Sequence, residues 1–160
     1  MSKYDFMHAT ANDLPEIIDL YHSLIGTSGC TWHLGYPNKE IAEADIRSRS
    51  LYILRDENHD LISVASAGTS DELEELQWNA KNPCDLARIG VLPTRQNQGI
   101  GSLMLSKVIT DVKTRGFDGI RMLVSKNNPP ALALYDKSGF VRRDEINMYD
   151  IDFFCYEMVF

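Results

Sequence analysis

No stretch of this sequence stays apolar for the roughly 20 residues that a membrane-spanning helix requires, so no transmembrane anchor is expected. A lysine- or arginine-rich stripe is also missing, and the formal net charge is −7. Sequence-independent nucleic-acid binding neutralises phosphates with such stripes, so that class is excluded, and the acidic balance favours a cationic partner such as an amine or a basic peptide. Cysteine is scarce: Cys30, Cys84 and Cys155 are an odd number at scattered positions, which speaks against a disulfide framework. Cys30 and His33 resemble half a zinc site, but no second pair completes four ligands, and His8, His22, His33 and His59 share no metal-like spacing. No metal is expected. Met1, Ser2 and Lys3 lead into Tyr4-Asp5-Phe6 without the basic-then-apolar build of a signal peptide, so the expected location is cytoplasmic.

What is present suits one soluble domain over all 160 residues, with 44% hydrophobic and 24% charged residues. A short strand is expected at 4–8. Asn12 or Asp13 then caps a helix with Leu14, Ile17, Ile18, Tyr21 and Leu24 on one face. Residues 26–37 read as a loop, and Asn38 caps a second helix over 39–49. Strands at 51–55 and 61–67 form a hairpin around the polar turn 56–60. An acidic irregular run at 71–82 precedes a strand at 85–92, which Pro93 ends. The longest helix is expected over 98–115, followed by a strand at 119–124 and a short helix at 129–138 between Pro129 and Gly139. Two strands, 141–149 and 153–160, close the chain. The apolar last strand can be buried or can pair across a homodimer. The order predicts an α/β (α+β) fold, antiparallel in its first half with a βαβ unit in the middle.

The segment Val91-Leu92-Pro93-Thr94-Arg95-Gln96-Asn97-Gln98-Gly99-Ile100-Gly101 lies between a strand and the strongest helix. Gly99 and Gly101 let a ligand approach the backbone. The first helical N–H groups, at Ile100, Gly101 and Ser102, have no intrahelical partner, and the helix dipole adds positive potential, which makes an anion site fit for a pyrophosphate. A dinucleotide fingerprint would need a third glycine where Met104 stands, and the Walker Gly-Lys-Ser/Thr is absent. A tight turn that merely needs small residues remains the competing reading.

Gln96-x-x-Gly99-x-Gly101 resembles the Gln/Arg-x-x-Gly-x-Gly/Ala signature of the GNAT superfamily of acetyl-CoA-dependent N-acetyltransferases. Downstream, Asn128-x-x-Ala131-x-x-Leu134-Tyr135-x-x-x-Gly139-Phe140 is similar to the second motif of that family. The two motifs cover about the last half of the chain.

The resemblance implies a GNAT-type fold, a central mixed twisted sheet with helices on both faces. It implies that the backbone of Gln96, Asn97, Gln98, Gly99, Ile100, Gly101 and Ser102 holds the pyrophosphate of acetyl-CoA. Gln96 stands where Arg is commoner, one charge fewer, and Asn97 replaces a frequent Gly and is expected to keep an ordinary backbone conformation. Ile89, Gly90 and Val91 would bond the pantetheine arm where their strand bulges and splays from its parallel neighbour, with an N–H near Ile89 facing the thioester oxygen. Gly90 within a strand fits a bulge or a close ligand approach. Asn128 caps its helix before Pro129 and touches the cofactor, and Ala131 keeps that helix close to the pantetheine arm. Tyr135 matches the residue that protonates the departing thiolate, or else it only anchors the helix on the sheet. Asp85 stands in the place of the family's base, one methylene shorter, and so either works through water or is simply a strand-end charge. Glu72, Glu74, Glu75 and Glu145 are alternatives. The acceptor pocket is expected from Cys30, Trp32, His33 and Tyr36, with Trp78, Tyr149 and Asp150 opposite, and Trp32 available to stack on a cation. The implied reaction is direct acetyl transfer to an amine of a small molecule or peptide. A non-catalytic acyl-CoA-binding or sensor module is the alternative.

Overall fold

The computed structural model describes residues 3–70, 72–74 and 76–160. Apolar alternation and helical periodicity fall where the sequence places them. The strands are β1 (Asp5–His8), β2 (Leu51–Arg55), β3 (Leu61–Gly68), β4 (Pro83–Val91), β5 (Gly119–Ser125), β6 (Val141–Met148) and β7 (Ile151–Val159). The helices are α1 (Leu14–Leu24), α2 (Lys39–Arg47), α3 (Ile100–Thr114) and α4 (Pro129–Lys137). One sheet runs in the order β1-β2-β3-β4-β5-β7-β6, and β4 against β5 is its parallel pair.

Each face of the sheet has its own core. Tyr52, Leu54, Ile62, Cys84, Leu86, Ile120 and Met122 pack under α3 with Met104, Leu105 and Val108, and Tyr135 of α4 joins the same cluster. Leu51, Ile53 and Val64 point the other way, against Ile17, Leu20, Tyr21 and Leu24 of α1 and Ala42 of α2. This division is the period-two alternation of a strand buried on both sides. Burying these side chains stabilises the fold by about 1.5–3 kcal/mol for each large one.

Local signals explain most boundaries. Asn38 accepts from the Ile41 N–H at 2.9 Å and starts α2, and Asn128 does the same for Ala131 at 3.3 Å and starts α4. Asp13 is the N-cap residue of α1, one of the two expected, but its side chain turns back: residues 11–13 form a 3-10 turn in which the Thr10 N–H donates to Asp13 at 2.8 Å. α3 begins at Ile100, two residues after the expected start, because Gly99 takes φ +78 and breaks the helical run. The C-terminal strand β7 lies between β5 and β6. Both its edges are therefore taken, which corrects the reading that it can pair across a homodimer; the outer edge belongs to β6.

Candidate active site

The site starts from a fault in the sheet. β4 and β5 pair at Pro83↔Gly119, Cys84↔Ile120 and Asp85↔Arg121, and no further rung joins them. Beyond Asp85 the two strands part and leave backbone groups on facing edges. β4 is also bulged against β3: Val64 stands opposite Gly90, while Ser66 stands opposite Ala87. Two steps along β3 thus match three along β4, the mark of an extra residue. Arg88 carries the strain, with φ +50.

At the end of β4 the chain turns through a 3-10 turn, Pro93–Arg95, into α3. Arg95 ties this turn to the β2–β3 hairpin by an ion pair with Asp56 at 2.6 Å. The Gln96 amide donates to the Val91 carbonyl at 3.2 Å, which fastens the loop to the strand end. Asn97 has φ +62, so the expected ordinary backbone is corrected: the position keeps a left-handed turn, which Asn tolerates better than most residues. Among the described residues, the N–H groups of 97–102 have no hydrogen-bond partner, and the α3 ladder starts with Leu103 N–H to Gly99 O at 3.1 Å. A Cβ built on Gly99 would meet nothing within 4 Å, so the loop faces open space. A row of unpartnered N–H groups at a helix N-terminus fits a pyrophosphate.

Gly90 has a different role from a pure ligand approach. Its added Cβ would lie 2.6 Å from Leu24 Cδ1 and 3.4 Å from Trp32 Cη2. α1 and Trp32 therefore pack directly on the bulged strand. The Gly90 carbonyl accepts from Ser63 Oγ at 2.8 Å, and Ile89 and Val91 pack toward the α3 core.

Tyr135 and Asp85 lie on opposite faces. Tyr135 is 3% exposed, packs edge-on to Phe140 and near Tyr156, and its hydroxyl makes no hydrogen bond among the described residues. Burial alone pushes its phenol up from the ordinary value. Asp85 sits between Cys84 and Leu86 of the α3 core and so faces the α1–α2 side. Its Oδ1 accepts from Arg121 Nε at 2.5 Å, and Oδ2 is 3.5 Å from Nη2. Burial pushes the Asp85 carboxyl up, against the opposing pull of the Arg121 guanidinium. Burial also works against the charge of Arg121, but Asp85 and Glu74 outweigh it and hold that group above its ordinary value.

This pair belongs to a charged row that crosses four strands. Arg121 is the register partner of Glu157 on β7, which is 1% exposed and accepts from Arg143 Nε on β6 at 3.0 Å. Glu157 also takes the N–H groups of Asn79 and Ala80, each at 2.8 Å, and holds the β3–β4 loop down. From that loop Glu74 reaches Arg121 at 3.0 Å, and the Trp78 ring lies 5.8 Å from the guanidinium.

Most of the expected acceptor residues line this face. Trp32 packs edge-on to Tyr21, with centroids 5.4 Å apart. The Tyr36 hydroxyl accepts from Arg88 at 3.2 Å, and the Tyr149 hydroxyl donates to Glu72, which pushes the Tyr149 phenol up. Cys30 Sγ accepts from the Trp32 N–H at 3.4 Å. His33 is exposed and spends Nδ1 on the Gly35 N–H, so it is not drawn into the cluster. Glu145 pairs with Lys126 at 2.9 Å, away from Asp85, and Glu75 lies outside the described residues. Arg88, Arg121, Asp45 and Glu157 were missed. For Arg88, Arg121 and Glu157 a signal was present, since an arginine or glutamate inside an apolar strand must find a partner or a ligand; Asp45, on α2, carried none. Among the described residues no group of His, Cys, Asp and Glu could hold a metal ion, and no helix is long and apolar enough to cross a membrane.

Comparison with known proteins agrees with this geometry. Residues 17–140 match the family model of the acetyltransferase (GNAT) family. A mycothiol acetyltransferase from Paenarthrobacter aurescens (strain TC1) is 28% identical over 117 residues, 68% of this chain and 35% of that protein. A second, from Catenulispora acidiphila, is 32% identical over 63 residues, 39% of this chain and 20% of that protein. The chain thus spans about a third or less of the length of these curated relatives. The ribosomal-protein-alanine N-acetyltransferase of Brucella melitensis shares the fold with a TM-score of 0.80 at 17% identity, over 98% of this chain and 99% of that one. The structure of yncA from Salmonella typhimurium with its cofactor acetyl-CoA has a TM-score of 0.77 at 16% identity, over 99% and 94%. With the two motifs on the loop and helices that follow the parted strands, and the family model covering most of its length, the chain belongs to the GNAT acetyltransferase family.

Proposed function

We propose that this chain, working as one domain, moves the acetyl group of acetyl-CoA directly to a primary amine of a small molecule or peptide. The observation that carries the reading is the parting of β4 from β5 above Asp85↔Arg121, beside the unpartnered N–H groups of 97–102. Bound acetyl-CoA supplies an activated acyl carbon and a thiolate leaving group.

The chain's own residues do the rest. The loop of Gln96, Asn97, Gln98, Gly99, Ile100, Gly101 and Ser102 holds the pyrophosphate through its N–H groups. Ile89 offers its N–H to the carbonyl oxygen as negative charge develops there. Asp85 Oδ2, in only weak contact with Arg121, takes the ammonium proton through a water and frees the lone pair that attacks. The C–N bond forms, the C–S bond breaks, and Tyr135 gives its proton to the sulfur. The new acylated nitrogen, now strongly acidic, loses its second proton through solvent to the Tyr135 phenolate, leaving a neutral amide, the coenzyme A thiol and a restored phenol, while Asp85 returns the first proton to solvent. A thiol of ordinary pKa about 8.5 makes its thiolate a weaker base than a phenolate of about 10. Burial disfavours both anions and does not by itself close that gap, so the transfer rests on holding the hydroxyl against the sulfur as the C–S bond breaks. Asn128 caps α4 so that Ala131 and Tyr135 face the gap. Trp32, Tyr36, Trp78 and Tyr149 wall the acceptor side. A covalent route through Cys84 or Cys155 is disfavoured: burial pushes Cys84 up to about 12 and Cys155 up to about 11, so neither offers a thiolate nucleophile.

The test is acetyl-CoA binding by thermal shift, with coenzyme A release across polyamines, amino acids, aminoglycosides and peptides. Binding with turnover of at least one amine is expected. Binding without turnover of any acceptor would favour an acyl-CoA sensor, the reading that the Asp85–Arg121 pair supports. No shift at saturating acetyl-CoA would remove the cofactor assignment.

A further inference from the structure

We propose that Arg88 is a positioning residue for acetyl transfer: its guanidinium pins the β4 bulge to α2 and to the acceptor loop, and so holds the Ile89 N–H in the gap. The proposal rests on the direct-transfer reading, which gives that N–H its task.

The bulge decides which way the strand faces. Leu86 and Ile89 both pack toward the α3 core, although they are three residues apart and would face opposite sides of a regular strand. Gly90 instead meets Leu24 and Trp32. The extra residue that makes this switch is bent at Arg88, with φ +50, a left-handed conformation that costs a side chain with a Cβ. Such a conformation persists where the surroundings over-determine it, and here they do so through one side chain. Nε and Nη2 donate to Asp45 Oδ2 of α2 at 3.2 and 2.8 Å. Nη2 also reaches Ser66 Oγ of β3 at 3.3 Å, and Nη1 reaches the Tyr36 hydroxyl at 3.2 Å.

Both partners of the ion pair are largely shielded from solvent, so water competes weakly for the fork. Three elements are thereby fastened to one strained residue. One of them, the loop carrying Tyr36, belongs to the acceptor side, and α2 is the helix that loop leads into. The third, β3, is the strand against which β4 bulges. A lysine has no planar fork and cannot reproduce this three-way span.

The test compares wild type with Arg88→Ala, Arg88→Gly, Arg88→Lys and Asp45→Asn. The first readout is the ¹⁵N amide response of Ile89 to added acetyl-CoA, set beside those of Gly99, Ile100, Gly101 and Ser102. The second is kcat and KM with an amine from the panel. In Arg88→Ala and Arg88→Gly the loop amides should respond as in wild type while the Ile89 response shrinks. kcat should fall on the order of 10- to 100-fold, with KM for acetyl-CoA changed by less than about twofold. Arg88→Lys should recover only part of this, and Asp45→Asn should show a smaller loss of the same kind.

Arg88→Gly is decisive, because glycine takes φ +50 without strain. A wild-type Ile89 response and kcat in that variant would overturn the proposal, since the backbone would then hold itself. Should it fail to fold, a wild-type response and kcat in Asp45→Asn would overturn it equally. Loop amides that ignore acetyl-CoA in wild type would instead defeat the cofactor reading itself.

Discussion

Replacing Arg121 with methionine should destabilise the protein in a pH-dependent way that reads out the buried charged row. Methionine keeps much of the stem volume but removes the guanidinium from Asp85, Glu74 and Ser70 O. Glu74 is largely exposed, and its loss matters at about 0–1 kcal/mol. Asp85 is different, since at 8% exposure its carboxylate would be left without its cation. Breaking a buried pair from one side costs about 3–5 kcal/mol. For a chain of this size that corresponds to a melting point lowered by roughly 6–20 °C. The sign of the pH dependence follows from the direction of the shift. Burial already holds the Asp85 carboxyl above its ordinary value, and Arg121 is the main opposing influence, so its removal raises the carboxyl further. A group raised on folding has its stability contribution fully in place below the unfolded value, about 3.9, and loses it as pH climbs through the folded value. The deficit of Arg121→Met should therefore be largest near pH 8 and shrink toward pH 5. Melting curves followed by circular dichroism at pH 5, 6, 7 and 8 check this, with Asp85→Asn/Arg121→Met expected to regain most of the loss at pH 8. A variant melting within about 2 °C of wild type at pH 8, or a deficit flat across the range, would refute the reasoning.

Other outcomes follow from single positions. Tyr135→Phe removes a hydroxyl with no hydrogen-bond partner among the described residues, so stability should change by less than about 0.5 kcal/mol. Its kcat should fall on the order of 100-fold with acetyl-CoA affinity kept, and full turnover with chemistry limiting would dismiss the acid assignment. Gly99→Glu places both a Cβ and a negative charge on the left-handed loop residue, and calorimetry should show acetyl-CoA bound at least about tenfold more weakly. Unchanged affinity would count against the loop. Gly90→Ala brings a methyl to 2.6 Å from Leu24 Cδ1 and should cost about 1–3 kcal/mol in urea unfolding. A neutral result would mean that α1 yields at this contact.

The elements were legible because their signals are local. Periodic apolar residues, Asn38 and Asn128 as caps, and Pro93 after β4 each act within a few positions. The left-handed turn at Gly99 moved the start of α3, a shift that periodicity does not register because Gln98 and Gly99 leave the apolar stripe unbroken. What stayed hidden is set by partners far along the chain. Gly90 inside the strand Ala87-Arg88-Ile89-Gly90-Val91 already suggests a bulge, but that the left-handed residue is Arg88, and where the extra residue falls, is visible only through the register with β3. Asp85 reads as a free carboxylate until Arg121, 36 residues away, is brought beside it. The placement of β7 between β5 and β6 likewise depends on sheet order, which an apolar run of residues does not encode.

The charged row also explains where the chemistry can take place. A sheet separates its two faces, and here Tyr135 lies on the α3–α4 face while Asp85 lies on the α1–α2 face. An acid and a base so divided can serve one reaction only where the sheet is open. Asp85↔Arg121 is the last rung between β4 and β5, and the row it belongs to continues through Glu157 to Arg143. At that rung the strands are joined by charge as well as by register, and below it by Cys84↔Ile120 and Pro83↔Gly119 alone. Above it, the bulge at Arg88 and the bare Cα of Gly90 draw β4 away toward β3 and α1. The rung thus marks the edge of the opening, and the residue proposed as base stands on that edge. Under the proposed function the donor would enter along the loop and α4, the acceptor would enter past Trp32 and Tyr36, and the two would meet where neither face is closed.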